Sequence, residues 1–185
     1  MNKEQFWQII DSTRAESEGD IDEMADVLAD KLSAIETPEI FAWHQIFLEY
    51  QHLSYKEKLW AAAYVINGGC GDDGFDYFRA WLTAQGKAVF VNALENPDSL
   101  ADVDEAREDE TEFEDMLSAA SSAYFKKLNI KADYDLFYEE LDKYPLSDTV
   151  KSEIKEEIVY AQDIDEEWDE DELETVVPKL YAKFD

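Results

Sequence analysis

Apolar residues return along this chain at intervals of three and four. Ile21, Met24, Leu28, Leu32 and Ile35 form one stripe, with Asp22, Asp26 and Asp30 opposite. That spacing predicts a helix with one face on a core and the other in water. Asp20 and Glu23 supply a capping box for it. Before it, Phe6, Ile9 and Ile10, with Trp7 beside them, predict a first helix that stops by Gly19. After it, Thr37-Pro38-Glu39 reads as cap, first-turn proline and first-turn acid. These open a third helix through Phe41, His44, Phe47 and Leu48.

Ser54 and Glu57 form another capping box, which predicts a helix from Tyr55 to Ile66. Gly68 and Gly69 end it, because glycine accepts the left-handed geometry past a helix C-terminus. Asp72 or Asp73 then caps a helix that is apolar around most of its circumference, the mark of a buried element. Tyr55 to Gln85 is therefore read as a helical hairpin, and as the spine of the fold. Gly86 breaks the chain. Val89, Phe90, Ala93 and Leu94 make a short helix, which Asn96-Pro97-Asp98-Ser99 ends.

From Asp102 to Asp115 nine of fourteen residues are acidic, so this stretch is the best linker candidate. Phe113, Met116, Leu117, Ala120, Tyr124 and Leu128 resume the helical spacing. Asp133 caps a short helix carrying Leu136, Phe137 and Leu141, which Tyr144-Pro145 breaks. Thr149 to Gln162 is helical in pattern and mostly polar. Leu173, Val176, Val177, Leu180 and Tyr181 close the chain around Pro178. No stretch alternates strictly, so the fold class is all-α, a compact multi-helix bundle of about eight to ten helices by pattern. The predicted division is a core domain, 1–101, with an acidic helical region, 102–185, packed on it.

Composition changes the functional picture more than the fold. The 46 acidic residues against 16 basic give a net charge of -30. Such a field repels phosphate, so nucleic acid and anionic membranes are disfavoured and a basic protein partner is favoured. A single cysteine cannot form an intramolecular disulfide, and the N-terminus has no signal-peptide pattern; the expected location is cytoplasmic.

The stretch Leu59 to Leu82, centred on Asn67-Gly68-Gly69-Cys70-Gly71-Asp72-Asp73-Gly74-Phe75, resembles an uncharacterised bacterial family, domain of unknown function 4240. Phe6-Trp7-Gln8-Ile9-Ile10-Asp11, Ala84-Gln85-Gly86-Lys87 and Ala93 to Leu100 resemble it too. The likeness covers roughly residues 1–128, and Trp168 to Phe184 looks like the tail that follows such domains. The resemblance implies a small soluble bacterial protein and brings no activity, cofactor or catalytic residue. Gly71 stands where many relatives are expected to carry serine, which bars hydroxyl chemistry there.

The glycine loop is the first candidate site. Cys70 at a helix start is a candidate thiolate, opposed by the two acids after it. Asp72, Asp73 and Asp76 are candidate ligands for a cation, with Arg79 placed to neutralise one of them. The loop is neither a phosphate cradle nor a dinucleotide fingerprint, since no Lys-Ser or Lys-Thr follows it and no strand precedes it. In the acidic run Asp163 to Glu174, Asp163, Asp165, Glu167, Asp169, Asp171 and Glu174 fall at calcium-loop positions, but Trp168 occupies the place of the required glycine. Trp168, with Asp169 and Asp171, is a candidate partner contact or a docking point for the tail. His44 and His52 have no second ligand at metal spacing. No catalytic set, cofactor site or metal site is read from the chain. The leading expectation is a non-enzymatic, immunity- or inhibitor-like protein that binds a basic partner. The alternative is a small-ligand- or metal-binding protein, or an enzyme, built on the Gly-Asp-Asp loop.

Overall fold

A computed structural model describes residues 1–108 and 110–184. Asp109, inside the predicted linker, and Asp185 lie outside the described residues. The described chain is all-α: eleven α-helices and two short 3-10 helices, with no strand among the described residues. It divides into two compact units, Met1–Tyr50 with Glu114–Ile154, and Gln51–Phe113 with Lys155–Asp185. Each unit draws on both sides of the predicted boundary at residue 101.

The first unit contains α1 (Lys3–Glu16), α2 (Ile21–Ala34), α7 (Glu114–Leu128) and α8 (Tyr134–Leu141). It also takes most of α3 (Thr37–Leu53) and of α9 (Asp148–Glu156). α2 packs against α1 and α7. The predicted stripe is its buried face: Met24, Leu28 and Leu32. Asp20 accepts the Glu23 amide at 3.0 Å, as its capping role requires. Phe6, Trp7 and Tyr50 form an aromatic cluster in which the Trp7 indole donates to the Tyr50 hydroxyl at 2.8 Å. Phe41, Tyr124 and Phe137 form a second. α3 starts one residue earlier than Thr37 as a cap allows, since Glu36 already accepts the Glu39 and Ile40 amides.

The second unit holds α4 (Glu57–Ile66), α5 (Asp72–Ala84), α6 (Lys87–Glu95), the 3-10 helix Pro97–Asp102, α10 (Leu173–Val176) and α11 (Pro178–Phe184). α5 is its most enclosed helix, buried from Phe78 through Ala84. The predicted Ser54–Glu57 capping box does not form. Ser54 is fully buried and its hydroxyl donates to the Gln51 carbonyl at 3.2 Å, so α4 starts at Glu57 with Lys56 as its cap. The acidic stretch around residue 106 is docked through Ala106, Thr111 and Phe113, and the Phe113 amide donates to the Tyr77 carbonyl at 3.0 Å. The helix predicted for 149–162 ends at Glu156, and the Ala161 amide goes to the Leu94 carbonyl at 3.0 Å instead.

Candidate functional site

The loop between α4 and α5 is fixed from both ends. Past Ile66, Gly68 and Gly69 take φ of 63° and 134°, a conformation that costs an L side chain strain. The Gly69 amide closes back on the Tyr64 carbonyl at 2.8 Å, a Schellman-type closure. The Asn67 carboxamide oxygen accepts the Thr111 hydroxyl at 2.6 Å. The Trp60 indole donates to the Cys70 carbonyl at 2.8 Å, and its ring stacks on Phe75 at 4.8 Å.

Neither Asp72 nor Asp73 caps α5. Gly71 is the N-cap, with no side-chain capping bond, and the two aspartates are exposed first-turn residues. There they face the positive end of the helix dipole, which favours a carboxylate without a direct cap. The local pattern could not separate these places, because cap and first turn want the same residue types.

Cys70 is half-buried. Burial first, and the Glu112 carboxylate second, push its thiol up to about 11, against smaller opposing effects of Trp60 and Arg79. Both effects favour the protonated thiol at neutral pH and oppose a thiolate. Glu112 approaches because residue 74 is glycine: a Cβ there would lie 3.1 Å from the Glu112 carboxylate and 3.6 Å from the Cys70 sulfur. Glu112 is the residue that sequence reasoning missed. It lies in an acidic run, and nothing local ties it to a cysteine forty-two positions earlier.

Arg79 is 5% exposed. Its guanidinium donates to the Asp76 carboxylate and to the Gln51 carbonyl, and lies 4.8 Å over the Tyr55 ring and 4.9 Å over Phe75. Burial lowers its pKa, and Asp76 opposes that. The structure thus gathers Cys70, Glu112, Asp76 and Arg79 near the start of α5 and leaves Asp72 and Asp73 on the rim.

The second group of predicted residues lies on the tail. Trp168 is half-buried. Its indole donates to the Glu57 carbonyl at 2.9 Å, and its ring meets Tyr64 edge-on at 5.4 Å, so it docks this segment onto α4. Asp169 caps the 3-10 helix Glu170–Glu172 through a capping box with Glu172. Asp171 lines a groove of about 350 Å³ with Lys58, Asp163, Glu166, Glu167 and Glu172. Of the calcium-loop acids, Asp163 and Asp165 face the ammonium groups of Lys58 and Lys56 at 2.5 and 2.9 Å. The Lys58 bond holds the Asp163 carboxyl below its ordinary value. Among the described residues no group of three or more His, Cys, Asp and Glu side chains is arranged to hold a metal ion. No described helix is long and apolar enough to cross a membrane.

His44 has a different character. It is 3% exposed, neither ring nitrogen has a hydrogen-bond partner among the described residues, and Phe137 meets the ring edge-on at 5.4 Å. Burial lowers its pKa to about 4.

A family model, protein of unknown function DUF4240, matches residues 1–126. The chain belongs to this family. No curated protein and no solved structure matches it. The DUF4240 match takes in α1 to α6 and nearly all of α7, so α8 and everything after it lie beyond the shared domain. Cys70, Asp72, Asp73, Asp76, Arg79 and Glu112 all fall within DUF4240, whereas Trp168, Asp169 and Asp171 do not.

Proposed function

We propose that this DUF4240 protein is a non-enzymatic binding protein of the bacterial cytoplasm whose acidic surface takes a basic protein partner. An immunity- or inhibitor-like role is its concrete form. The use of the cations carries this reading. Lys31 pairs with Glu16 at 2.6 Å, Lys56 with Asp165 at 2.9 Å, Lys58 with Asp163 at 2.5 Å and Lys87 with Glu157 at 2.6 Å. Lys143 pairs with Glu140 at 2.6 Å, and Arg79 and Lys126 bind Asp76 and Asp30. Basic side chains are thus engaged on the chain's own carboxylates. Even with every one of them paired, 30 acidic groups would keep no internal counter-charge. A surface of that kind repels its own parts and is relieved by an oppositely charged partner. The protonated thiol favoured at Cys70 and the engaged guanidinium of Arg79 oppose a thiolate nucleophile and a free cation at the loop.

The test is retention of cell-lysate proteins on the immobilised chain at low and high salt, with identification by mass spectrometry. Expected is a discrete set of basic proteins held at low salt and released at high salt. Retention of no protein, or of acidic proteins insensitive to salt, would overturn the reading.

A further inference from the structure

Around α8 the first unit leaves large apolar side chains in water. Tyr134, Tyr138 and Tyr144 are 53%, 52% and 41% exposed, and Leu128 and Ile130 beside them are exposed as well. Each of the three tyrosines lies against a buried ring. Tyr134 stands edge-on to Phe125 at 5.6 Å, Tyr138 edge-on to Phe137 at 5.4 Å, and Tyr144 stacks on Phe41 at 5.2 Å. Phe137 touches both Phe125 and Phe41, so all three rings rest on the same buried cluster. Their inner faces are held and their outer faces are free for contact. A rigid aromatic lying half in water is the usual anchor of a protein interface, since it loses little conformational freedom on binding.

The charge around the patch selects its occupant. On α8, Tyr134 and Tyr138 are four apart and share a face. Asp135 and Glu139, three before and one after Tyr138, and Asp142, four after it, are all exposed. Asp133 is engaged as the α8 cap, and Glu140 holds Lys143 at 2.6 Å. Asp135 and Asp142, one turn to either side of Tyr138, therefore flank its exposed ring with no ion pair among the described residues, while Glu139 lies off that face within the field of the Lys143 ammonium. A guanidinium satisfies both features at once: it stacks flat on a tyrosine while its N–H fork reaches a carboxylate. The molecule already shows this arrangement internally, where Arg79 lies over Tyr55 and donates to Asp76. An ammonium group lacks the planar fork, so arginine is preferred to lysine.

We infer that the face of α8 carrying Tyr134 and Tyr138, with Tyr144 just past the helix end, is the docking surface for an arginine-bearing segment of a basic protein. This rests on the basic-partner reading above and names its surface, which lies outside the DUF4240 match.

The test titrates the full chain with two labelled peptides, nona-arginine and nona-lysine, at low salt. Three variants accompany the wild type: Tyr134→Ser/Tyr138→Ser, Asp135→Asn/Glu139→Gln/Asp142→Asn, and the charge control Glu166→Gln/Glu167→Gln/Glu174→Gln on the other unit. The expected result is tighter binding of the arginine peptide by the wild type. The tyrosine variant loses about tenfold of that affinity. The α8 acid variant, which keeps both tyrosines, loses a similar factor, and the charge control changes by less than about threefold. Equal affinity for the two peptides would overturn the arginine assignment. Wild-type affinity in both α8 variants would overturn the surface and leave the basic-partner reading standing. Binding of neither peptide at low salt would overturn both.

Discussion

The Trp60 ring lies on Phe75 at 4.8 Å, and its N–H holds the Cys70 carbonyl at 2.8 Å. One side chain from the first helix of the hairpin thus fixes both the loop and the start of the second helix. Trp60→Phe keeps a ring on Phe75 and removes only the hydrogen bond, at an expected cost of about 1 kcal/mol. Trp60→Ala also removes the stack, at about 3 kcal/mol. Urea denaturation of the two variants checks the order, and equal stabilities would contradict it.

Cys70 is expected to resist alkylation at neutral pH. Its thiolate forms only as pH nears about 11, so the iodoacetamide rate at pH 7 should fall well below that of a free thiol. Glu112→Gln removes the second cause and leaves burial, so the reactivity midpoint moves down without reaching the ordinary value. A midpoint near neutrality in the wild type would show a thiolate at this position.

His44 makes stability depend on pH. Its folded pKa of about 4 lies below the ordinary 6.5, so between these values the unfolded chain binds the extra proton. The stability is complete above pH 6.5 and is lost as pH falls toward 4, by roughly 3 kcal/mol in all. His44→Phe removes two unpartnered buried nitrogens and is expected to raise stability at pH 7 by about 1 kcal/mol. Its denaturation midpoints should lack the His44 share of the slope between pH 6.5 and 4. An undiminished slope in the variant would place the titrating group elsewhere.

Trp168 is one of the contacts that hold the acidic tail. Trp168→Ala loses the bond to the Glu57 carbonyl and the contact with Tyr64, worth about 2 kcal/mol together. Limited proteolysis should then cut within 163–184 sooner than in the wild type. The Lys58–Asp163 pair acts in the same sense: Asp163 has a lowered pKa, so its contribution is present above the ordinary carboxylate value and fades as pH drops below it. Unchanged cleavage in the Trp168 variant would mean that the lysine pairs, the Asp98 bonds to the Lys179 and Leu180 amides and the buried Leu173, Val177 and Leu180 suffice to hold the segment.

The elements legible in the sequence were those fixed by neighbours along the chain. The α2 stripe, the Asp20 and Asp133 caps, and the close at Gly68 and Gly69 each need only local spacing and backbone geometry. The errors came where another acceptor, one turn back or far along the chain, took the group. Ser54 looked like a cap, but its buried hydroxyl found the Gln51 carbonyl. The polar pattern of 149–162 looked like one helix, but the Ala161 amide found Leu94. Among the candidate residues, the Asp76–Arg79 contact was within reach of sequence because the two lie one turn apart. The approach of Glu112 to Cys70 was not, because it depends on where the acidic stretch docks and on the absence of a side chain at Gly74.

The most direct test of an acidic surface built for a basic partner is the association rate with the retained partner, measured against ionic strength. The expected result is a steep fall in the association rate as salt rises, with a dissociation rate that barely moves, because charges at the rim steer the encounter. An association rate independent of salt would contradict it.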